Sequence, residues 1–405
     1  MSRALTFIAA ALATGACSDG GGRLVVRTVS DRTGAPVAGV RVQVEGQPWA
    51  TTGADGKASF AAVPGPFTVR LHQISHVEGP PSSQRSDSVV VLRGHTRSEI
   101  VVELSGAGPT HWHYAQASGS VAGRAGPPST TVVRVGFTPF RHWSTWTVAA
   151  EDGSFDMGVG WRGDPSETAA TLVLSAWESD AASPPGHYYG FGRSAGLSFL
   201  DGGVITGVPL SLDLVAEGTV EGAVSLPAAL ASAPVHAELW LAFGRYEQLE
   251  VGEQDIAPGS FAFVVPSVGE AEAWIGVWAD GLAWHHRRVT VPSSGLAFAP
   301  PAPPELLEPA EGATIGDTTV FRWSPVAPGG SSSLYVTCNW TDAVAGYSIV
   351  VYRVEAEGNE APLPAIPGVA VAPGAACWVV VRWCTAADPA VEERCSESRR
   401  DTLWL

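Results

Sequence analysis

In the stretch "VRVQV", Val40, Val42 and Val44 alternate with Arg41 and Gln43. That is the pattern of a strand with one face on a core and the other turned outward. Similar strand-like runs recur as "TTVVRVGF" (130–137), "AELWLAF" (237–243) and "AWIGVWA" (273–279). Between such runs stand turn signals: Asp31–Pro36, Asp55-Gly56, and "PGP" at 64–66. Asp favours turn geometry and Gly tolerates positive φ. No sustained helical period is present, and the one helix candidate, Pro227–Ala233, is short and poorly capped. The pattern predicts an all-β protein. Its 405 residues exceed what one core usually serves, so several β-sandwich modules in tandem are expected.

The first module is read as 23–104. It opens with a strand, turns through Asp31–Pro36 and returns as Val37–Val44. "TTGADGKASF" (51–60) then reads as a strand end, a tight turn and the start of another strand. "KASFAAVPGPFTVRL" supplies two strands around its "PGP" break, and "SVVVLRGHTRSEIVVEL" reads as a closing hairpin. The residues Gly34, Pro36, Val37, Gly39, Val40, Thr52, Asp55, Gly56, Phe60, Gly65 and Phe67–Val69 together resemble the carboxypeptidase regulatory-like family. The resemblance covers about a fifth of the chain. It implies a small transthyretin-like sandwich in which these residues hold turns and core and take no part in catalysis.

Two further modules, 115–215 and 216–292, read as divergent echoes of each other. "GSVAG" (119–123) and "GTVEG" (218–222) share the form G-x-V-x-G, 99 residues apart. "EDGSFDM" (151–157) and "PGSFAFVV" (258–265) repeat a turn followed by Phe, 106 residues apart. A repeat of about one hundred residues is predicted. The proline-rich "PSSGLAFAPPAPPE" (292–305) reads as a semi-rigid linker. The last module, 306–405, begins "LLEPAEGATIGDTTVFRWSP" and resembles fibronectin type III-like domains, with Trp323 on an early core strand. The tyrosine such domains carry on a late core strand is replaced by "CWVVVRWC" (377–384), and "DTLWL" (401–405) would be the last strand, docked by Leu403 and Leu405 or by Trp404.

Composition changes the picture in two places. With 45% hydrophobic and 16% charged residues the chain is globular material. A net charge of -16 argues against a nucleic-acid partner, which needs a basic surface. Lys57 is the only lysine, which leaves little room for Schiff-base chemistry.

Residues 1–22 read as a signal and tether. Met1-Ser2-Arg3 is a basic start, "ALTFIAAALA" (4–13) an apolar run too short to span a bilayer, and "TGAC" ends at Cys17. Gly15, Ala16 and Cys17 resemble the processing box of a bacterial lipoprotein signal, although Thr14 stands where leucine is usual. The resemblance implies lipidation of Cys17, and "SDGGG" would be the tether. Ser18, in place of an aspartate, implies the outer membrane, on its periplasmic or cell-surface side. An ordinary secretory signal cleaved nearby is the alternative. Export makes Cys338, Cys377, Cys384 and Cys395 candidates for two disulfides. Three pairings are open, and Cys384–Cys395 with Cys338–Cys377 is preferred. A zinc site lacks both a CxxC pair and a nearby histidine.

Candidate chemistry is sparse. Gly192–Gly196 matches G-x-S-x-G around Ser194, but "LSFLDGG" follows where a nucleophile elbow needs a helix. His72 and His76 would lie about 13 Å apart along one strand face, too far to share a metal. His111 and His113 lack a visible third ligand. His285-His286-Arg287-Arg288 reads as a solvated strand end or turn. No carboxylate pair stands out for glycoside hydrolysis, and Asp19, Asp31 and Asp55 do not form a calcium loop. No metal or cofactor is expected. The 15 tryptophans carry more weight. Trp143 and Trp146 would face opposite sides of a strand, while Trp274 and Trp278 would share a face, with Trp284 near. Both groups are candidates for ligand stacking, with core packing as the plainer alternative.

The sequence therefore predicts a lipid-anchored cell-envelope protein, non-enzymatic, acting as a structural or interaction scaffold. Its partners would be the membrane through the lipid and an envelope protein or glycan. Glycan binding through exposed tryptophans is the competing reading, and an accessory subunit of an envelope assembly a third.

Overall fold

A computed structural model describes residues 23–30, 34–61, 63–77, 84–104, 111–125, 129–137, 146–163, 168–180, 184–243, 248–256, 259–316, 318–342, 346–356, 358–369, 371–385, 392–398 and 401–404. The regular structure among the described residues is strand, apart from one 3-10 turn at Ala228–Leu230 in the stretch that reads as a short helix. The protein is all-β. It divides into two compact units, one centred on residues 111–300 and the other on 23–104 with 301–385 and 393–404.

The first sandwich contains β1 (Leu24–Ser30), β2 (Arg41–Val44), β3 (Ala50–Thr51), β4 (Lys57–Phe60), β5 (Phe67–Val77), β6 (Gln84–His95) and β7 (Glu99–Leu104). One sheet has the order β4-β1-β7, with β4 antiparallel and β7 parallel to β1. The other has the order β3-β2-β5-β6, all antiparallel. Val40, Val42 and Val44 all point into the core, joined by Val26, Val69, Leu71, Val90, Leu92, Ile100 and Val102. The alternation in "VRVQV" is thus one buried face, as expected. One local reading is corrected. β6 and β7 are no hairpin: they lie in different sheets, and Thr96-Arg97-Ser98 carries the chain across the sandwich. The "GADG" turn links a strand end to a new strand as expected, joining β3 in one sheet to β4 in the other.

The second sandwich has β8 (His111–Ala122), β9 (Thr130–Phe137), β10 (Trp146–Val148), β11 (Ser154–Gly163), β12 (Ala169–Ser179), β13 (Tyr188–Arg193), β14 (Leu197–Leu200) and β15 (Val204–Ser211). The third has β16 (Ala216–Val224), β17 (Val235–Ala242), β18 (Gln248–Ile256), β19 (Ser260–Ser267), β20 (Glu272–Ala279), β21 (Ala283–Val289) and β22 (Ser293–Phe298). Their smaller sheets, β11-β8-β15 and β19-β16-β22, repeat the first: the left neighbour is antiparallel to the middle strand and the right one parallel. Their larger sheets, β10-β9-β12-β13 and β18-β17-β20-β21, repeat β3-β2-β5-β6. The second sandwich differs only in β14, which extends along β12 past β13. Three sandwiches therefore share one topology. β22 lies within the stretch that reads as linker, so the third sandwich runs past 292. Phe298 is buried in its core, and Pro292 and Gly295 are tolerated because β22 is an edge strand.

Within this unit the second and third sandwiches are packed together. Trp177, Tyr188 and Phe191 belong to the core of the third. The Tyr188 hydroxyl donates to Val251 O at 2.8 Å, and burial raises its pKa well above the usual phenol range. Arg134 donates to Glu250 O at 2.8 Å and pairs with the Glu250 carboxylate at 3.2 Å.

The last sandwich has β23 (Leu306–Glu308), β24 (Val320–Trp323), β25 (Gly330–Asp342), β26 (Gly346–Ala356), β27 (Glu360–Pro362), β28 (Ala376–Thr385), β29 (Glu392–Glu397) and β30 (Asp401–Trp404). Its sheets are β23-β24-β27 and β26-β25-β28, with β30 and β29 on successive stretches of β28. Trp323 and Leu403 are buried in its core. Cys338 sits opposite Cys377, and Cys384 opposite Cys395, and both pairs are disulfide-bonded.

The arrangement least visible in the sequence is a strand pairing between the first and last sandwiches. β6 runs parallel to β26, from Gln84 opposite Tyr347 to Val91 opposite Val354. β6 serves two cores: Val90 and Leu92 face the first, Val89 and Val91 the last. A strand buried on both faces needs a continuous apolar run, which "VVVL" (89–92) supplies.

Candidate functional site

One backbone bond at the turn of 53–57 recurs in the next two sandwiches. Gly56 O accepts from Thr28 N at 2.8 Å, Gly153 O from Val121 N at 2.9 Å, and Gly259 O from Val224 N at 2.6 Å. Gly56 and Gly153 have φ of 70° and 86°, and a Cβ on either would meet the carbonyl oxygen of Thr28 or Val121 at 2.5 or 2.6 Å. Only glycine fits both demands. Asp55 Oδ1 accepts from Lys57 N at 3.1 Å and Asp152 Oδ1 from Ser154 N at 2.9 Å, so these carboxylates brace the turns. The Ser154 hydroxyl also donates to Asp152, which lowers its pKa.

These bonds set the true repeat alignment. Val121 matches Val224 and Gly119 matches Gly222, an offset of 103 residues in place of the 99 suggested by G-x-V-x-G. The turn and its Phe keep their offset of 106: Phe155 and Phe261 lie directly opposite Gly119 and Gly222. In the first sandwich the same pair is Ala58 opposite Val26, and Phe60 falls two residues later.

Ser194 is tied into the sheet. Its N–H donates to Leu174 O at 2.8 Å and its hydroxyl accepts from Leu174 N at 3.0 Å. The strand β14 follows, and Gly192 is there because Ser211 O would lie 2.1 Å from its Cβ. The arrangement holds a strand in register and offers no nucleophile elbow. The Cys384, Glu393 and Cys395 ligand atoms lie within 4.8 Å of one another, but both sulfurs are in a disulfide and supply no thiolate.

The histidines are packed. His72 Nε2 lies 2.9 Å from Asp87 Oδ1, with both side chains buried. His113 stacks on Trp161 at 5.3 Å inside the second sandwich. The side chains of His76 and His111 lie outside the described residues. His285 and His286 correct the expectation of a solvated strand end: both are fully buried on β21. β21 is the last strand of the third sandwich's larger sheet, and from it His285 faces Phe298 at 4.8 Å and accepts from Ala299 N at 2.9 Å.

His286 points from the opposite face of that sheet, into an aromatic layer. Trp240, Trp274, Trp278 and Trp284 share this face with it. Trp278 lies 5.4 Å from Trp284 and 4.8 Å from His286, and Trp240 lies 5.3 Å from His286. Gly276 makes the room: a Cβ there would meet Trp240 at 2.5 Å and His286 at 2.7 Å. The predicted trio Trp274, Trp278 and Trp284 is thus brought together. However, Trp274 and Trp284 are each only 8% exposed and Trp278 is half-buried, so they form packing and present no open platform. Trp240 and Glu238 were missed, and His286 was read as solvated. The signal was present, because 236, 238 and 240 share a strand face, as do 274, 276 and 278. Glu238 lies on this face, and burial is the main cause raising its carboxyl to about 7. His236 beside it, 2.9 Å from Asp255 and 3.4 Å from Glu238, has a raised pKa because these carboxylates outweigh its burial.

Trp146 is 61% exposed on the edge strand β10, while Trp143 and Cys17 lie outside the described residues. Among the described residues no helix is long and apolar enough to cross a membrane.

No family model and no curated protein matches the sequence. Among solved structures, the TIE protein of Bacillus anthracis is similar over 69% of this chain and 50% of its own, at 14% identity and a TM-score of 0.16. A leucine-rich repeat protein from Bacteroides thetaiotaomicron is similar over 46% and 26%, at 13% identity and a TM-score of 0.20. GBS52, the minor pilin of Streptococcus agalactiae, is similar over 46% and 94%, at 7% identity and a TM-score of 0.17. The chain spans half or less of the first two. Scores this low carry no argument, and the all-β reading rests on the chain's own sheets.

Proposed function

We propose that the chain is a non-enzymatic scaffold of the cell envelope, held there by a lipid on Cys17. The observation that carries this reading is the triple repeat of one sandwich topology, in which Gly56, Gly153 and Gly259 accept the same backbone bond. Residues that suggested chemistry are occupied by structure: Ser194 by the backbone, four cysteines by disulfides, His72, His113, His285 and His286 by burial. In this reading the first sandwich is carboxypeptidase regulatory-like, the next two share its topology, the last is a disulfide-bonded fibronectin type III-like variant, and the whole sits at the outer membrane. Glycan binding through tryptophans is the second reading, and the exposure of Trp146 is what favours it.

Two experiments test the proposal. A clickable palmitate analogue should label the full chain and not Cys17→Ser, and that substitution should move the protein from membranes to the soluble fraction. An unlabelled, soluble wild-type chain rejects the anchor. A photo-cross-linking residue at Trp146 should capture a defined envelope protein in intact cells. Capture of glycan alone would favour the second reading.

A further inference from the structure

The larger sheet of the first sandwich has an outward face as well as a core face. On it Gln43 of β2 lies opposite Arg70 of β5, and Arg70 lies opposite Val91 of β6. Arg93 follows two residues on, a diagonal neighbour on the same face. Val89 and Val91 are covered by the last sandwich. Beyond them the two sandwiches, which share a unit, leave a cleft of about 690 Å³. Its floor is Gln43, Thr68, Arg70 and Arg93, and its walls are Trp49 and the prolines 362, 364 and 367. Arg41 fixes one end by donating to Pro367 O at 3.0 Å while its guanidinium lies 4.8 Å from the Trp49 ring centre.

In a chain of net charge -16 this cleft holds two guanidiniums and no carboxylate among its lining residues. Arg70 reaches only Gln43 Oε1, at 3.5 Å, and neither Arg70 nor Arg93 has an ion-pair partner among the described residues. The nearby Glu45 carboxylate accepts from Thr68 N at 3.0 Å. Two like charges in one concavity repel each other unless an anion joins them, and the low-dielectric walls strengthen both effects. The guanidinium fork binds a planar carboxylate, or a phosphate, through two parallel hydrogen bonds.

The floor decides the ligand class. β5, which carries Thr68 and Arg70 along the middle of the floor, is paired on one edge with β2 and on the other with β6, so it offers no open strand edge to an extended peptide. Proline walls add no N–H groups. A peptide laid here would leave its own backbone unpaired. A sugar has no such requirement. Its C–H faces suit indole and proline rings, and its hydroxyls suit the Gln43 amide and the Thr68 hydroxyl. We propose that this cleft binds a carboxylate-bearing saccharide, with Arg70 and Arg93 taking the carboxylates and Trp49 a ring face.

Isothermal titration of the full chain with tetragalacturonate tests the proposal. It should show one saturable site, weakened at least tenfold by Arg70→Gln and by Arg93→Gln in proteins that keep the wild-type melting temperature. Arg93→Lys, which keeps the charge and loses the fork, should retain part of the affinity. Neutral maltotetraose should not bind. Absence of binding overturns the proposal, as does binding that all three variants leave unchanged. Equal displacement by inorganic phosphate would make the cleft a site for charge alone and would overturn the saccharide assignment.

Discussion

Gly119 lies directly opposite Phe155, and the end of the Phe155 ring lies 2.9 Å from where a Gly119 Cβ would stand. Gly222 and Phe261 repeat the relationship at 2.6 Å, and Val26 with Ala58 inverts it. One pair position thus keeps its summed bulk while exchanging which strand carries it, as close-packed cores require.

The two glycines respond differently to substitution. Gly222→Ala meets the Phe261 ring at 2.6 Å and, less closely, the backbone oxygen of Leu296 at 2.9 Å, so it should cost about 1–3 kcal/mol, and part of that should be recovered when Phe261→Leu is added. Gly119→Ala meets Val208 O at 2.0 Å, a backbone atom, so no change at Phe155 should rescue it. Urea unfolding of the two double-mutant cycles measures both.

Gly153→Ala forces a side chain to φ 86° and against Val121 O. A loss of about 1–3 kcal/mol is expected by thermal unfolding. Asp152→Ala should lose less, since it removes only the bonds from Ser154. A catalytic role for this turn would predict the reverse: small stability effects and a lost activity.

Much of this was legible in advance. Strand alternation at Val40, Val42 and Val44 placed a core face, and glycine at 56 and 153 placed the turns. What escaped were pairings between distant segments. A parallel partner for β6 is not encoded in turn chemistry, because no turn connects β6 to β26. The "VVVL" run reads equally as the inner strand of one sandwich. β22 was hidden by Pro292 and Gly295, and His285-His286 by the charge of the two arginines beside them. G-x-V-x-G misaligned the repeats by four residues because glycine recurs in β16 both at Gly222, opposite Phe261, and at Gly218, close to Val291.

Stability should fall as pH rises from about 5 to 8. Glu238 is held near 7 by burial, so the folded state retains a proton that the unfolded chain releases from about 4.5 upward. His236 has a raised pKa, and the stability it contributes is present below its unfolded value of 6.5 and lost as pH rises through the folded one. The two act in the same direction. Glu238→Gln should flatten the melting temperature against pH, removing on the order of 2–3 kcal/mol of pH-dependent stability. A profile unchanged by the substitution would contradict the assignment.

The two disulfides should differ in weight. Cys338–Cys377 closes 39 residues and Cys384–Cys395 closes 11. Loop entropy puts their contributions at about 4 and 3 kcal/mol. Replacing Cys338 and Cys377 also disturbs the core of the last sandwich, where both are buried. Paired replacement by alanine, followed by chemical unfolding, should therefore show the larger loss for Cys338 and Cys377.

In this fold the first and last sandwiches form one body through β6 and β26. Amide hydrogen exchange of the full chain tests this directly. The account predicts that amides of 86–91 and 349–354 are protected together, at the level of the inner strands β5 and β25. Rapid exchange along β6, as at an unpaired sheet edge, would contradict it.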